Sequence, residues 1–142
     1  MRNIALLAIS VVLLQGCATS TEDELICGSV ASYITPPVTD SLYRVVVTHL
    51  NGKPVISRPY YKLPAGEHQF TVAELIESPE LKVKLAARQT KTILVEVERE
   101  QRYHLVAEFK LDKVYNGLNT DYWQPVVWKK ESYECAFANP ME

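Results

Sequence analysis

Between residues 92 and 110 the chain alternates. Over residues 92–98, Ile93, Val95 and Val97 are interleaved with Thr92, Leu94, Glu96 and Glu98. Over residues 102–110, Tyr103, Leu105, Ala107 and Phe109 are interleaved with Arg102, His104, Val106, Glu108 and Lys110. A period of two belongs to a strand with one buried and one wet face, because successive Cβ atoms point to opposite sides. The short link at residues 99–101 predicts that the two strands form a hairpin. A sheet with one apolar face must cover it with a second layer, which confines the chain to a few layered architectures.

The rest of the chain carries the punctuation of further strands. Residues 42–50 read Leu-Tyr-Arg-Val-Val-Val-Thr-His-Leu and end in Asn51-Gly52. That dipeptide suits a two-residue type I′ turn, both of whose centres need positive φ. A return strand is expected over residues 55–62. Pro54 and Pro59 cannot donate ladder bonds, so it is expected at an edge. Residues 63–68, Leu-Pro-Ala-Gly-Glu-His, read as a second turn, with a strand outward over 68–76. Asn116-Gly117 is another turn candidate, and residues 122–134 can close the sheet. Residues 78–88 pull two ways. Ser78-Pro79-Glu80 suits a helix start, but Leu81, Val83 and Leu85 alternate with Lys82 and Lys84, which favours a strand. The expected fold is all-β: a small antiparallel β-sandwich or partly open barrel of six to eight strands, formed by a single domain over residues 27–142.

The balance of 47% apolar and 23% charged residues is that of an ordinary globular chain. The net charge of −2 argues against a nucleic-acid partner, which needs a basic patch to replace phosphate counterions. It also supplies no polybasic arm for anionic lipid. The first residues offer a different route to a membrane. Met1-Arg2 is followed by an apolar run from Ile4 to Leu14. As a helix that run spans only about 16 Å, half a hydrocarbon core. It has the length of the apolar region of a signal peptide rather than of a membrane span.

The end of the apolar run is specific. Leu14-Gln15-Gly16-Cys17 resembles the lipobox of bacterial lipoproteins. The resemblance implies that Cys17 is the lipidation site, that residues 1–16 are a signal peptide removed before it, and that the new amino end is acylated too. Each buried CH₂ contributes about 0.8 kcal/mol, so two or more acyl chains anchor a protein permanently. Ala18, where an Asp favours inner-membrane retention in enteric-type bacteria, points by analogy to the outer membrane rather than the inner. Residues 18–24 include three acids and no apolar pattern, so residues 17–26 read as the lipidated Cys and an acidic tether. The nine tether residues before Cys27 reach at most about 30 Å, which keeps the domain near the bilayer.

Cys27 and Cys135 remain. Export places them in an oxidising compartment, where a disulfide is expected. Closing a loop of about 109 residues stabilises by roughly 4–5 kcal/mol in the chain-entropy model. Two buried free thiols or an intermolecular bridge stay open as alternatives. Two isolated cysteines lack the close pairing used by zinc sites.

Residues 43–110 resemble the PEGA-like β-domains of bacterial envelope proteins. The pattern comprises a strand, the Asn51-Gly52-Lys53 turn, the Leu-Pro-Ala-Gly-Glu-His segment at 63–68, and a late strand containing Tyr103-His104-Leu105-Val106-Ala107. In that class the Leu-Pro-x-Gly segment is a structural turn. The resemblance implies a small sandwich that contacts envelope polymers or partner proteins without catalysis. The chain departs from the class at its last turn, where Glu100-Gln101 stands in place of the usual Gly.

Candidate chemistry is sparse. A metal site needs His49, His68 or His104 to converge with a carboxylate such as Glu67 or Glu108, and their spacing gives no support. No metal or cofactor is therefore expected. Glu96, Glu98 and Glu100 alternate on one strand, about 7 Å apart, within the roughly 5–10 Å that glycoside hydrolysis uses. That chemistry also needs a cleft with one acid buried to raise its pKa, and wet-face charges in cross-strand pairs are the preferred reading. No G-x-S-x-G elbow, P-loop or H-E-x-x-H helix occurs. Eight of the thirteen aromatic residues lie beyond residue 100. Among them Tyr122, Trp123 and Trp128 form a possible binding patch, although core packing is the preferred reading. Trp123 and Trp128 are five apart and face opposite sides of a regular strand, so at least one is expected to be exposed. The chain thus reads as a membrane-anchored envelope lipoprotein, not an enzyme, with a structural or partner-binding β-domain. Its partner would be an unknown envelope protein or glycan. The alternative is a small envelope enzyme acting on cell-wall or surface glycan.

Overall fold

The alternating strands form, but they do not pair with each other. The computed structural model describes residues 27–135, so Cys17 and its tether lie outside the described residues. Eleven strands run through the described residues: β1 Cys27–Ala31, β2 Leu42–Tyr43, β3 Val45–Leu50, β4 Lys53–Pro54, β5 Tyr60–Pro64, β6 Gly66–Glu74, β7 Lys82–Val83, β8 Lys91–Val97, β9 Gln101–Phe109, β10 Asn116–Gly117 and β11 Trp123–Ser132. Seven of these have five or more residues, and they build the all-β sandwich that the alternation implied. One sheet has the order β11-β9-β1-β5, with β2 also on β9; the other has the order β4-β3-β6-β8; β7 and β10 make a separate two-residue ladder.

The expected hairpin at residues 92–110 is thus a corner between sheets: β8 pairs with β6, and β9 with β11 and β1. Two local features make the corner. Glu100 adopts φ 54°, the left-handed conformation that glycine supplies most cheaply, at the position where the PEGA-like pattern has its glycine. Gly28 on β1 packs against the same corner. A Cβ there would collide with the Glu98 carbonyl and the Val97 side chain. The close approach lets the Glu100 N–H donate to the Cys27 carbonyl at 2.9 Å.

The return strand expected at 55–62 is likewise redirected. Only Lys53–Pro54 pairs back on β3. The chain then leaves that sheet, and β5 pairs with β1 in the other. The main partner of β3 is β6, which contains no proline and can offer a full ladder. Pro54 lies in β4 and Pro59 just before β5, the outermost strands of their sheets. Asn51 and Gly52 have φ 51° and 79°, as a type I′ turn requires. Asn116-Gly117 does not turn a hairpin; it pairs in parallel with Lys82–Val83. Residues 78–88 resolve into that short strand and then a 3₁₀ turn at Leu85–Ala87. Pairing of β1 with β9 is also parallel, so the first sheet is mixed rather than wholly antiparallel.

The inward-facing residues of both sheets meet in one core, with Val30, Leu63, Tyr103, Leu105 and Trp123 from one and Val45, Phe70, Val72, Val95 and Val97 from the other. On β8 the alternation is honoured: Val95 and Val97 are buried, and Leu94 and Glu96 are exposed. On β9 it is not. Residues 102–107 are buried on both faces, because the core covers one side and the rings of Tyr33, Tyr60 and Tyr133 cover Arg102 and His104 on the other. The expected wet face of β9, with Arg102, His104 and Val106, is therefore covered.

Candidate functional site

Strand register lays out the outer face of the first sheet row by row. Lys62, Ser29, Arg102 and Glu131 lie opposite one another across β5, β1, β9 and β11. The next row is Tyr60, Ala31, His104 and Lys129. Arg102 and His104 are 4% and 1% exposed. A buried cation is costly unless something answers its charge. Arg102 meets no carboxylate within salt-bridge distance among the described residues. Its Nε donates to Ser29 Oγ at 2.9 Å, and one terminal nitrogen reaches the Tyr33 hydroxyl at 3.3 Å. Three tyrosine rings surround the guanidinium: Tyr133 at 3.4 Å, Tyr60 at 4.9 Å and Tyr33 at 5.9 Å from ring centroid to Cζ. Ring quadrupoles attract such a cation, by up to about 2 kcal/mol when it is desolvated.

Those tyrosines are themselves 41–45% exposed. With Lys62 and Glu134, Tyr60, Arg102 and Tyr133 line an open depression of about 500 Å³. His104 lies beside it, edge-on to Tyr33 at 5.8 Å. Its Nε2 is 2.8 Å from Glu131 Oε1, while the buried Nδ1 has no hydrogen-bond partner. The His104 bond, aided by Lys129, holds the Glu131 carboxyl below the usual carboxylate range. The Cys27–Cys135 disulfide borders the same face and fixes the chain just beyond Tyr133 and Glu134. The expected pairing is thus present as an intramolecular bridge.

A second charged centre is complete within the fold. Glu74, at the end of β6, is gripped by Arg88 through both carboxylate oxygens. It also accepts the Ile76 N–H at 2.6 Å and the Tyr122 hydroxyl at 2.9 Å. Burial pushes the Glu74 carboxyl up, but the bonds from Arg88, Ile76 and Tyr122 and the Arg88 charge outweigh it and hold the carboxyl below its ordinary value. Burial and the same carboxylate drive the Tyr122 phenol well above its ordinary value.

The aromatic patch expected at Tyr122, Trp123 and Trp128 does not assemble. Tyr122 and Trp123 are wholly buried. Tyr122 points its hydroxyl at Glu74, and Trp123 receives the Lys91 ammonium on its ring face and on its carbonyl oxygen. Trp128 is half-buried at a bulge where the β11 register shifts. The bulge cancels the simple count that put it opposite Trp123. The exposed aromatic cluster is formed instead by Tyr33, Tyr60 and Tyr133, which are distant in sequence. A cue for the buried Arg102 lies in the strand itself, since Tyr103-His104-Leu105-Val106-Ala107 is nearly continuously apolar, as an internal strand covered on both faces is.

The remaining candidates have local roles. His68 bridges the two turns, with Nε2 donating to the Pro64 carbonyl at 2.8 Å and Nδ1 accepting from Asn51 Nδ2 at 3.0 Å. His49 Nδ1 contacts its neighbour Thr48. The three histidines lie apart, and no group of three His, Cys, Asp or Glu side chains converges among the described residues. Glu98 pairs with Lys130 at 3.0 Å across the seam between sheets, the Glu100 carboxylate lies 4.0 Å from the neighbouring Arg99, and Glu96 is exposed opposite Glu67. None of these acids is buried, as a glycosidase acid must be. No protein-family model, curated protein or solved structure matches this chain.

Proposed function

We propose that the protein is a bacterial envelope lipoprotein, anchored through Cys17, whose β-domain binds an envelope partner rather than catalysing a reaction. The observation that carries this is the disulfide between Cys27 and Cys135. It fits an oxidising compartment, and it leaves Cys17 as the remaining one of the three cysteines. It also clamps the domain at the residue where the tether begins, so the anchor pulls on a cross-linked end. The acids that a glycan-cleaving enzyme would need are exposed, and Glu98 is paired with Lys130, which weighs toward binding.

The anchor is tested by labelling cells with radioactive palmitate and replacing Cys17 by Ser. Label should enter the wild-type band and vanish from the variant, and a variant that keeps its label overturns the reading. Density fractionation should place the labelled protein in the outer membrane. Binding is tested by capturing the detergent-extracted protein. One envelope protein, or isolated cell-wall glycan, should be retained in stoichiometric amount. Release of soluble fragments from that glycan would instead favour an enzyme.

A further inference from the structure

We infer that the tyrosine-bearing outer face of the first sheet is the surface that rests on the membrane, with lipid headgroups as its partner. The inference rests on the anchoring of Cys17 proposed above.

The tether joins the fold at Cys27, the first residue of β1. Cys27 and Ser29 lie on one side of that strand by alternation, about 7 Å apart. Ser29 Oγ bonds Arg102 directly. The anchored chain therefore joins the fold only two residues along β1 from the Arg102 contact with the tyrosine cluster. From Cys17 to Cys27 the chain spans at most about 35 Å. A domain held so closely meets the bilayer repeatedly, and the face around its attachment point meets it first.

That face has suitable chemistry. Tyrosine is enriched where membrane meets water, because its ring prefers the acyl boundary and its hydroxyl the wet side. The three tyrosines are 41–45% exposed, so each offers ring surface without having to leave its contact with Arg102. Lys62, Arg102 and Lys129 share the two rows around them with the acid Glu131, which pairs with Lys129 at 3.4 Å, so cations still outnumber acids there. Glu134 adds a second acid at the border. The opposite side of the sandwich differs. The outer face of the second sheet sets Glu67 directly across from Glu96, with Gln69 opposite Leu94 and Thr71 opposite Thr92. An anionic headgroup surface is favoured by the first face and repelled by the second. Leu94, 60% exposed on the second face, marks the side that should stay wet.

The test uses the mature lipidated protein in vesicles of phosphatidylethanolamine and phosphatidylglycerol, with the same protein in dodecyl maltoside as reference. Flotation first establishes that the protein travels with the vesicles. Hydroxyl-radical labelling, read by mass spectrometry, then reports side-chain access. Labelling of Tyr33, Tyr60 and Tyr133 should fall about threefold or more on vesicles, as expected for rings at the headgroup level, while Leu94 stays unchanged. Protein that floats but keeps fully labelled tyrosines overturns this inference and leaves the anchor standing. Equal loss at Leu94 overturns it too, because shielding would then have no side. Protein that fails to float overturns the anchor, and this inference with it.

Discussion

Glu74 and Arg102 are both charged and both buried, and the fold treats them in opposite ways. Glu74 is answered from every direction by groups of its own domain: Arg88, the Ile76 N–H and the Tyr122 hydroxyl. Arg102 is held by a serine, a phenol and three ring faces, and it borders an open depression. The first is a closed electrostatic joint tying β6, the 3₁₀ turn and the start of β11. The second leaves aromatic surface at the exterior. The contrast separates a polar cluster that holds the fold from one that is available to something outside it.

The largest expected effect touches the Arg102 side of that contrast. Reducing the disulfide, or replacing Cys27 and Cys135 by Ala, should lower unfolding stability by roughly 4–5 kcal/mol in the chain-entropy model. Denaturant titration measures it. Hydrogen exchange should show the loosening centred on residues 27–31 and 100–105, with the Glu74 end changed less. An even loss of protection would break the distinction between the two regions.

Next comes Glu74→Gln. Removing a buried charge strands its partner, which costs about 3 kcal/mol. Arg102→Met breaks no ion pair and keeps most of the packing, so its cost should stay at about 2 kcal/mol, the scale of a desolvated cation–π attraction. If thermal or chemical unfolding ranks the two the other way, Arg102 is the structural joint and the comparison fails.

Acid sharpens the point. The Glu74 carboxyl lies below its ordinary value of 4.5 in the folded protein. Below that value the unfolded chain binds a proton that the folded one refuses. The stability from Glu74 is thus complete above about pH 4.5 and is lost as the pH falls through the lowered folded value. Wild-type protein should lose stability across that acidic range, and Glu74→Gln should lose much less. A slope that survives Glu74→Gln would assign it to other carboxylates, of which Glu131, held low by His104, is the first to test.

The smallest effect concerns the corner near Arg102. Glu100→Gly relieves a left-handed φ worth about 1–2 kcal/mol but gives back part through the freer unfolded chain. A net gain of a few tenths to about 1 kcal/mol is expected, read as a small rise in the unfolding midpoint. A loss would mean that the Glu100 side chain contributes more than its backbone costs.

The strands were written in the chain locally. Alternation at 92–98, the Asn51-Gly52 turn and edge positions for Pro54 and Pro59 depend on neighbouring residues alone, and they reappear in β8, in the φ of 51° and 79°, and in the outer places of β4 and β5. The Cys27–Cys135 bridge was legible as well, from the expectation of export and the number of cysteines rather than from shape. Pairing was not. β8 and β9 part into different sheets at a corner against which β1 packs closely, an approach that needs Gly28, far away in the chain. The same holds for the site. Tyr33, Tyr60, Arg102 and Tyr133 come from four separate segments and meet only because β5, β1, β9 and β11 align in register. The aromatics that cluster in the sequence, Tyr122 and Trp123, went inside instead, where burying the largest apolar area gains most. Local backbone preference is a property of neighbours and can be read from them. Which strands pair, and which side chains then cover a charge such as Arg102, is set by contacts between distant residues and exists only once the chain has folded.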